Sequence, residues 1–220
     1  TDVTKTHAIK TGLAGLDTVI IYFDESILPA SFDTSNVDLM NGSAAISLAY
    51  SSVLLDEYKI YLQDSILTDS MYYIRINGIT DCEGNMIVVY LLPYYIPVFT
   101  NNFDNVFNEV LFNPLTNCVD YVEIYNRGTH AVDLSQMIIG EGDTNTFILN
   151  NFSAIYTQSL LLHPGEYLYI SENHETIMSC YSTPDSTSFW DISYLPDFTN
   201  TSGIVGISTY NQQWIDMFAY

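Results

Sequence analysis

Between Val106 and Gly128 the chain reads VFNEVLFNPLTNCVDYVEIYNRG, two alternating apolar runs joined by a polar turn that contains Asn113-Pro114 and Asn117. Side chains alternate between the two faces of a strand, so this pattern predicts a β-hairpin. Val110 and Phe112 on one strand, and Val119, Tyr121 and Glu123 on the other, are expected to point one way. Val122 and Ile124 should bury on the opposite face. Nearly every other apolar run is equally short and stops at a turn, and the 18 Tyr and 11 Phe favour strands over helices. The expectation is an all-β protein.

Before the hairpin, the strongest strand is DTVIIYF (Asp17 to Phe23), preceded by a short edge strand near Ala8-Ile9. Val37 to Met40 and Ala44 to Tyr50 flank Asn41-Gly42 and read as a hairpin. YKIYL (Tyr58 to Leu62), MYYIRI (Met71 to Ile76) and MIVVYLL (Met86 to Leu92) complete a set spaced by turns about ten residues apart, as in a β-sandwich. Two prolines and the Asn-rich TNNFDN mark a linker at about Pro93 to Asn105. The predicted domains are 1–97 and 104–220. After the hairpin come strands at His130 to Leu134, Met137 to Ile139, Phe147 to Leu149, Leu160 to Leu162, Glu166 to Ser171, Gly203 to Ser208 and Gln213 to Ala219. Glu172 to Tyr181 is the one predicted helix, with Ser171 as its cap and Ile177 and Cys180 on one face.

The charge narrows the function classes. With 26 Asp and Glu against 5 Lys and Arg, the net charge is −21. A surface that binds nucleic acid or anionic lipid needs clustered cations, and none are clustered here. No apolar run approaches the ~20 residues that cross a bilayer as a helix. The missing leader at Thr1 and the strand-like end at Tyr220 lead us to expect further domains in a longer precursor. Cys82, Cys118 and Cys180 have no metal-ligand spacing, and one disulfide with a free thiol or three thiols both fit.

No catalytic constellation stands out. His7, His130, His163 and His174 lack a nucleophile elbow or a zinc spacing, and His163 is expected at a solvated turn. Asp24-Glu25, Asp81 with Glu83, and Glu141 with Asp143 are candidate Ca²⁺ donors, but each reads more simply as a turn. Glu109 and Glu123, acids inside strands, are expected to accept backbone N–H groups, with a metal or ligand site as the sharper reading. Phe189, Trp190, Tyr194, Phe198 and Trp214 could form a carbohydrate- or protein-binding platform, or could plug one open end of the sandwich. The sequons at Asn41, Asn151 and Asn200 carry little weight by themselves.

Two resemblances add to this reading. VIIYFDESI (Val19 to Ile27) and YYIRINGITDCEGN (Tyr72 to Asn85) resemble the Ig-like domain of bacterial S-layer and surface proteins. NEVLFNP (Asn108 to Pro114), VDYVEIYNRG (Val119 to Gly128), VDLS (Val132 to Ser135), HPGEYLYIS (His163 to Ser171) and LPDFTNTSGIVGIS (Leu195 to Ser208) occur in the order shown by bacterial lamin-tail domains. The resemblance implies two tandem Ig-like β-sandwiches, the second of lamin-tail type, as in Bacteroidetes surface proteins. Cys118 and Cys180 depart from that family's pattern, which hints at a Cys118–Cys180 disulfide. The expected function is a non-catalytic structural or adhesion module pair of a larger secreted or cell-surface protein, without a cofactor. Its partner would be a protein or a polysaccharide. The alternative is an accessory carbohydrate-binding or targeting segment of a secreted multidomain enzyme.

Overall fold

A computed structural model describes residues 7–40, 45–50, 53–67, 71–87, 90–99, 101–143, 145–146, 148–182 and 188–220. The chain divides into two compact units, Thr1–Pro97 with Ser159–Leu161, and Val98–Gln158 with Leu162–Tyr220. Among the described residues, no helix is long and apolar enough to cross a membrane.

The first unit contains β1 (Ala8–Leu13), β2 (Thr18–Phe23), β3 (Val37–Met40), β4 (Ala45–Tyr50), β5 (Glu57–Leu62), β6 (Tyr72–Ile76) and β7 (Tyr90–Tyr94). They form two antiparallel sheets, ordered β1-β2-β5-β4 and β3-β6-β7. The core follows the strand period of two. Val19, Ile21 and Phe23 of β2 meet Tyr58, Ile60 and Leu62 of β5, with Ile74 and Ile76 of β6 and Leu92 and Tyr94 of β7. Each such side chain contributes about 1.5–3 kcal/mol when buried. Phe32 lies edge-on to Tyr58 at 4.8 Å, and the Tyr58 hydroxyl donates to the Ile27 carbonyl at 3.1 Å, so its buried polar end is satisfied.

Two local expectations change here. β3 pairs with β6 and β4 with β5, so the segments around Asn41-Gly42 enter different sheets and do not form a hairpin. The Asn-Gly pair itself lies outside the described residues. The last strand begins at Tyr90 and takes in Pro93, which is tolerated because β7 is the last strand of its sheet.

The DCEGN turn is built on Asp81, which is 1% exposed. Its Oδ1 accepts the N–H groups of Glu83 and Asn85, each at 2.8 Å, and its Oδ2 accepts Asn85 Nδ2 at 2.8 Å. Gly84 follows at φ 91°, where a side chain would be strained.

The second unit contains β8 (Asn105–Leu111), β9 (Tyr121–Asn126), β10 (Val132–Asp133), β11 (Met137–Gly142), β12 (Leu149–Ala154), β13 (Leu161–Leu162, of which Leu161 is counted with the first unit), β14 (Tyr167–Ser171), α1 (His174–Cys180), β15 (Phe189–Asp191), β16 (Ile204–Thr209) and β17 (Trp214–Ala219). Its main sheets are ordered β15-β14-β9-β8 and β12-β11-β16-β17, with β10-β13 as a small third. All pairings in the main sheets are antiparallel except β14 with β15. Val122, Ile124, Leu168 and Ile170 bury completely, as do Ile139, Val205 and Ile207 of the second main sheet. The predicted hairpin is β8–β9, with a register shift at Asn108. Val110 lies opposite Val122, and therefore shares that strand's Val122–Ile124 face rather than the Tyr121–Glu123 face. The helix starts two residues later than Ser171 would place it. Asn173 is the cap, its Oδ1 accepting Thr176 N–H at 2.8 Å.

Burial would raise the Asp81 pKa, but the Asn85 side chain and the surrounding backbone N–H groups outweigh it and hold the carboxyl below its usual value. The stability this turn supplies is thus fully present above about pH 4 and is lost as pH falls through the lowered folded value. Asp81→Ala should destabilise by about 1–3 kcal/mol at neutral pH, because the Glu83 and Asn85 N–H groups lose a charged acceptor. Urea unfolding from pH 7 to pH 3 should show that difference shrinking only below about pH 4.

Candidate functional site

β9 lies between β8 and β14, which places acids and tyrosines together on the outward face of their sheet. Glu109 lies opposite Glu123, and Tyr169 lies opposite Glu123 on the other side. The Tyr121 hydroxyl donates to Glu109 Oε1 at 2.6 Å, while Asn108 Nδ2 and the Tyr169 hydroxyl donate to Glu123. Burial, followed by the hydrogen bond and charge of Glu109, pushes the Tyr121 hydroxyl far above its usual range. Side-chain donors therefore satisfy these carboxylates, in place of the backbone N–H groups expected from the sequence.

Helix α1 covers part of this face. Ile177 packs with Tyr121 and Phe189, and Leu111, Val119, Tyr169 and Tyr181 surround the cluster. Three ties fix the helix. Cys180 forms a disulfide with Cys118 in the β8–β9 connection, Cα to Cα 6.3 Å. The Tyr181 hydroxyl accepts Leu115 N–H at 2.8 Å. At the other end, Asp191 accepts His174 N–H at 2.9 Å and pairs with His174 Nδ1 at 2.8 Å.

Ser171 also reaches Asp191, its hydroxyl donating to Oδ1 at 3.0 Å. Serine and histidine thus both bond to the carboxylate and not to each other. A nucleophile–base relay needs the serine on the imidazole, so this group serves as a helix-start clamp.

Beside the disulfide lies a cleft of about 320 Å³ lined by Pro114, Cys118, Asp120, Glu172, Asp197 and Phe198, among others. Asp120 Oδ2 accepts Phe198 N–H at 2.9 Å, and Glu172 Oε1 accepts Leu195 N–H at 2.8 Å. Burial raises the Asp120 pKa first, and the nearby charges of Asp197 and Glu172 add to it against the Phe198 hydrogen bond. Three separate segments bring these acids together, and no motif in the sequence announces them. Among the described residues, no group of three or more His, Cys, Asp or Glu is arranged to hold a metal ion.

The aromatic platform does not assemble as one exposed face. Phe189 is 4% exposed and stacks on Tyr169, and Phe198 is 3% exposed. Trp190 is half-buried, edge-on to Tyr156 at 4.9 Å. Trp214 packs over Gly206, where a Cβ would come within 2.0 Å of its ring. Only Tyr194 is well exposed, and its hydroxyl pairs with the Asn151 side chain. His163 is buried rather than solvated, with its N–H on Glu166 Oε2 at 3.0 Å. Cys82 is a free, exposed thiol.

Two largely antiparallel sheets with short connections and, among the described residues, no long helix define an Ig-like β-sandwich. The lamin tail domain model matches residues 101–220, just over half of the chain, and the chain belongs to that family. It is also similar to the N-terminal part of the bacterial S-layer protein SbsC, with a TM-score of 0.38 and 10% identity over 98% of this chain and 44% of that one. Domains 1–6 of SbsC give 0.40 and 11% over 99% and 40%. The chain thus spans less than half the length of these S-layer structures. Native alpha-2-macroglobulin from Escherichia coli, spanning domains MG0-NIE-MG1, gives 0.35 and 10% over 99% and 87%. No curated protein matches the chain.

Because the folded state raises the Asp120 pKa, ionising this group opposes folding at neutral pH. Its favourable contribution is complete below about pH 4 and is lost as pH rises through the raised value. Asp120→Asn keeps an oxygen for Phe198 N–H and removes the charge. The variant is expected to melt at a higher temperature than the parent at pH 7, with the gap closing below about pH 4, in paired thermal scans.

Proposed function

We propose that the chain is a non-catalytic structural or interaction segment of a larger secreted or cell-surface protein. What carries this reading is how the cleft's polar groups are employed. Asp120 and Glu172 each hold a backbone N–H of the 195–198 segment, so they close the fold. A catalytic carboxylate would need its oxygens turned toward a substrate. The Cys118–Cys180 disulfide supports an oxidising compartment, since such bonds persist outside the cytosol. The acidic balance, 26 Asp and Glu against 5 Lys and Arg, fits a protein partner or a surface that is not anionic.

The test uses the purified 220-residue chain on a glycan array and with generic ester, glycoside and phosphate substrates. Neither retention nor turnover is expected. A glycan that the parent retains and Trp190→Ala loses would make this a carbohydrate-binding segment instead, and turnover would overturn the reading. In material from its native compartment, alkylation before reduction should label Cys82 alone. Labelling of Cys118 or Cys180 would remove the support for an oxidising location.

A further inference from the structure

We propose that the Cys118–Cys180 bond is a redox-sensitive clasp that keeps α1 closed over the outward face of β9 and β14. The helix has seven residues, below the length at which an isolated helix holds together in water. Ile177 is its one buried residue. Its C-terminal end is joined to the β8–β9 connection by the disulfide and by the Tyr181–Leu115 hydrogen bond. Beneath it lie Tyr121, Tyr169 and Phe189, an apolar surface on an otherwise acidic unit.

The clasp is reachable. Cys118 and Cys180 are both half-buried, and Cys118 lines the open cleft. A small dithiol attacks one sulfur through its thiolate and forms a mixed disulfide, releasing the other cysteine, which takes up a proton. The second thiol of the reductant then closes its own disulfide and releases the remaining cysteine as a thiol. Two electrons and two protons pass to the protein, and the dithiol leaves oxidised. In the open form α1 frays and uncovers the Tyr121–Tyr169–Phe189 surface.

Hydrogen exchange of the 220-residue chain, oxidised and in dithiothreitol, tests this. Amides of 174–181 should exchange at least about ten-fold faster after reduction, while those of 121–126 and 204–209 change by less than about two-fold. An apolar dye should bind the reduced form more strongly. Cys180→Ser should reproduce the open state without reductant and show no further response to it. Unchanged exchange in 174–181 would mean that Ile177 and Tyr181 suffice, and would overturn the clasp. Equal acceleration in all three spans would show a constraint on the whole unit, and would also overturn it. A dithiol response that persists in Cys180→Ser would trace the effect to another bond. None of these outcomes depends on the partner or compartment proposed above.

Discussion

Both faces of β9 are buried, and the second unit is arranged around that requirement. The inward residues Val122 and Ile124 pack into the sandwich in the ordinary way. The outward residues Tyr121 and Glu123 lie on a face that an antiparallel sheet commonly leaves to solvent. Burying Glu123 there is costly, and Glu109 directly opposite adds a like charge. The arrangement holds because Tyr169 and Asn108 donate to Glu123, and Tyr121 donates to Glu109. Each tyrosine thus supplies a hydroxyl to a carboxylate and a ring to the apolar cluster under α1. The polar network and the small outer core share the same side chains.

That sharing explains why so short a helix is tied at both ends. Its packing surface rests on rings whose hydroxyls are fixed to acids below, so a modest shift of α1 would disturb both. The N-cap Asn173 and the Asp191 clamp satisfy donors that the first turn cannot satisfy internally. At the other end, the disulfide and the Tyr181 hydroxyl hold the last turn against the β8–β9 connection.

Much of the scaffold was legible in the sequence, because the strongest strands carry their own period. TVIIYF and YVEIYN needed only alternation and β-branched or aromatic content to be placed. What failed to show was set by register and by distant partners. Asn41-Gly42 has the composition of a hairpin turn, yet the strands beside it find better partners in β6 and β5. A local pattern cannot report that competition. The helix start moved from Ser171 to Asn173 because the Ser171 hydroxyl donates to Asp191, a residue twenty positions later. The sequence left Phe189 and Phe198 open between an exposed platform and a plug of the sandwich, and only the parallel pairing of β15 with β14 carries Phe189 onto Tyr169. The Asp120, Glu172 and Asp197 grouping was illegible for the same reason, since only the folded path of three segments brings it together.

The large negative charge also has a structural explanation that the bare count obscures. A chain with 26 acids and 5 Lys and Arg can pair few of its carboxylates with cations. Arg75 with Asp38 does so at the surface, where an ion pair contributes little. Elsewhere the acids serve as acceptors for backbone N–H groups. Asp33 holds Ser35, Asp104 holds Asn101, Asp133 holds Ser135, and Asp143 holds Asn145 and Thr146. A β-rich chain with many short connections has many N–H groups that its ladders do not use, and a carboxylate is a stronger acceptor for them than a neutral oxygen. The acidity is therefore in large part the chemistry of the turns. At Asp33, Asp81 and Asp143 the accepted hydrogen bonds hold the carboxyl below its usual value, so these turns respond to proton concentration directly, whereas an exposed ion pair responds mainly to salt.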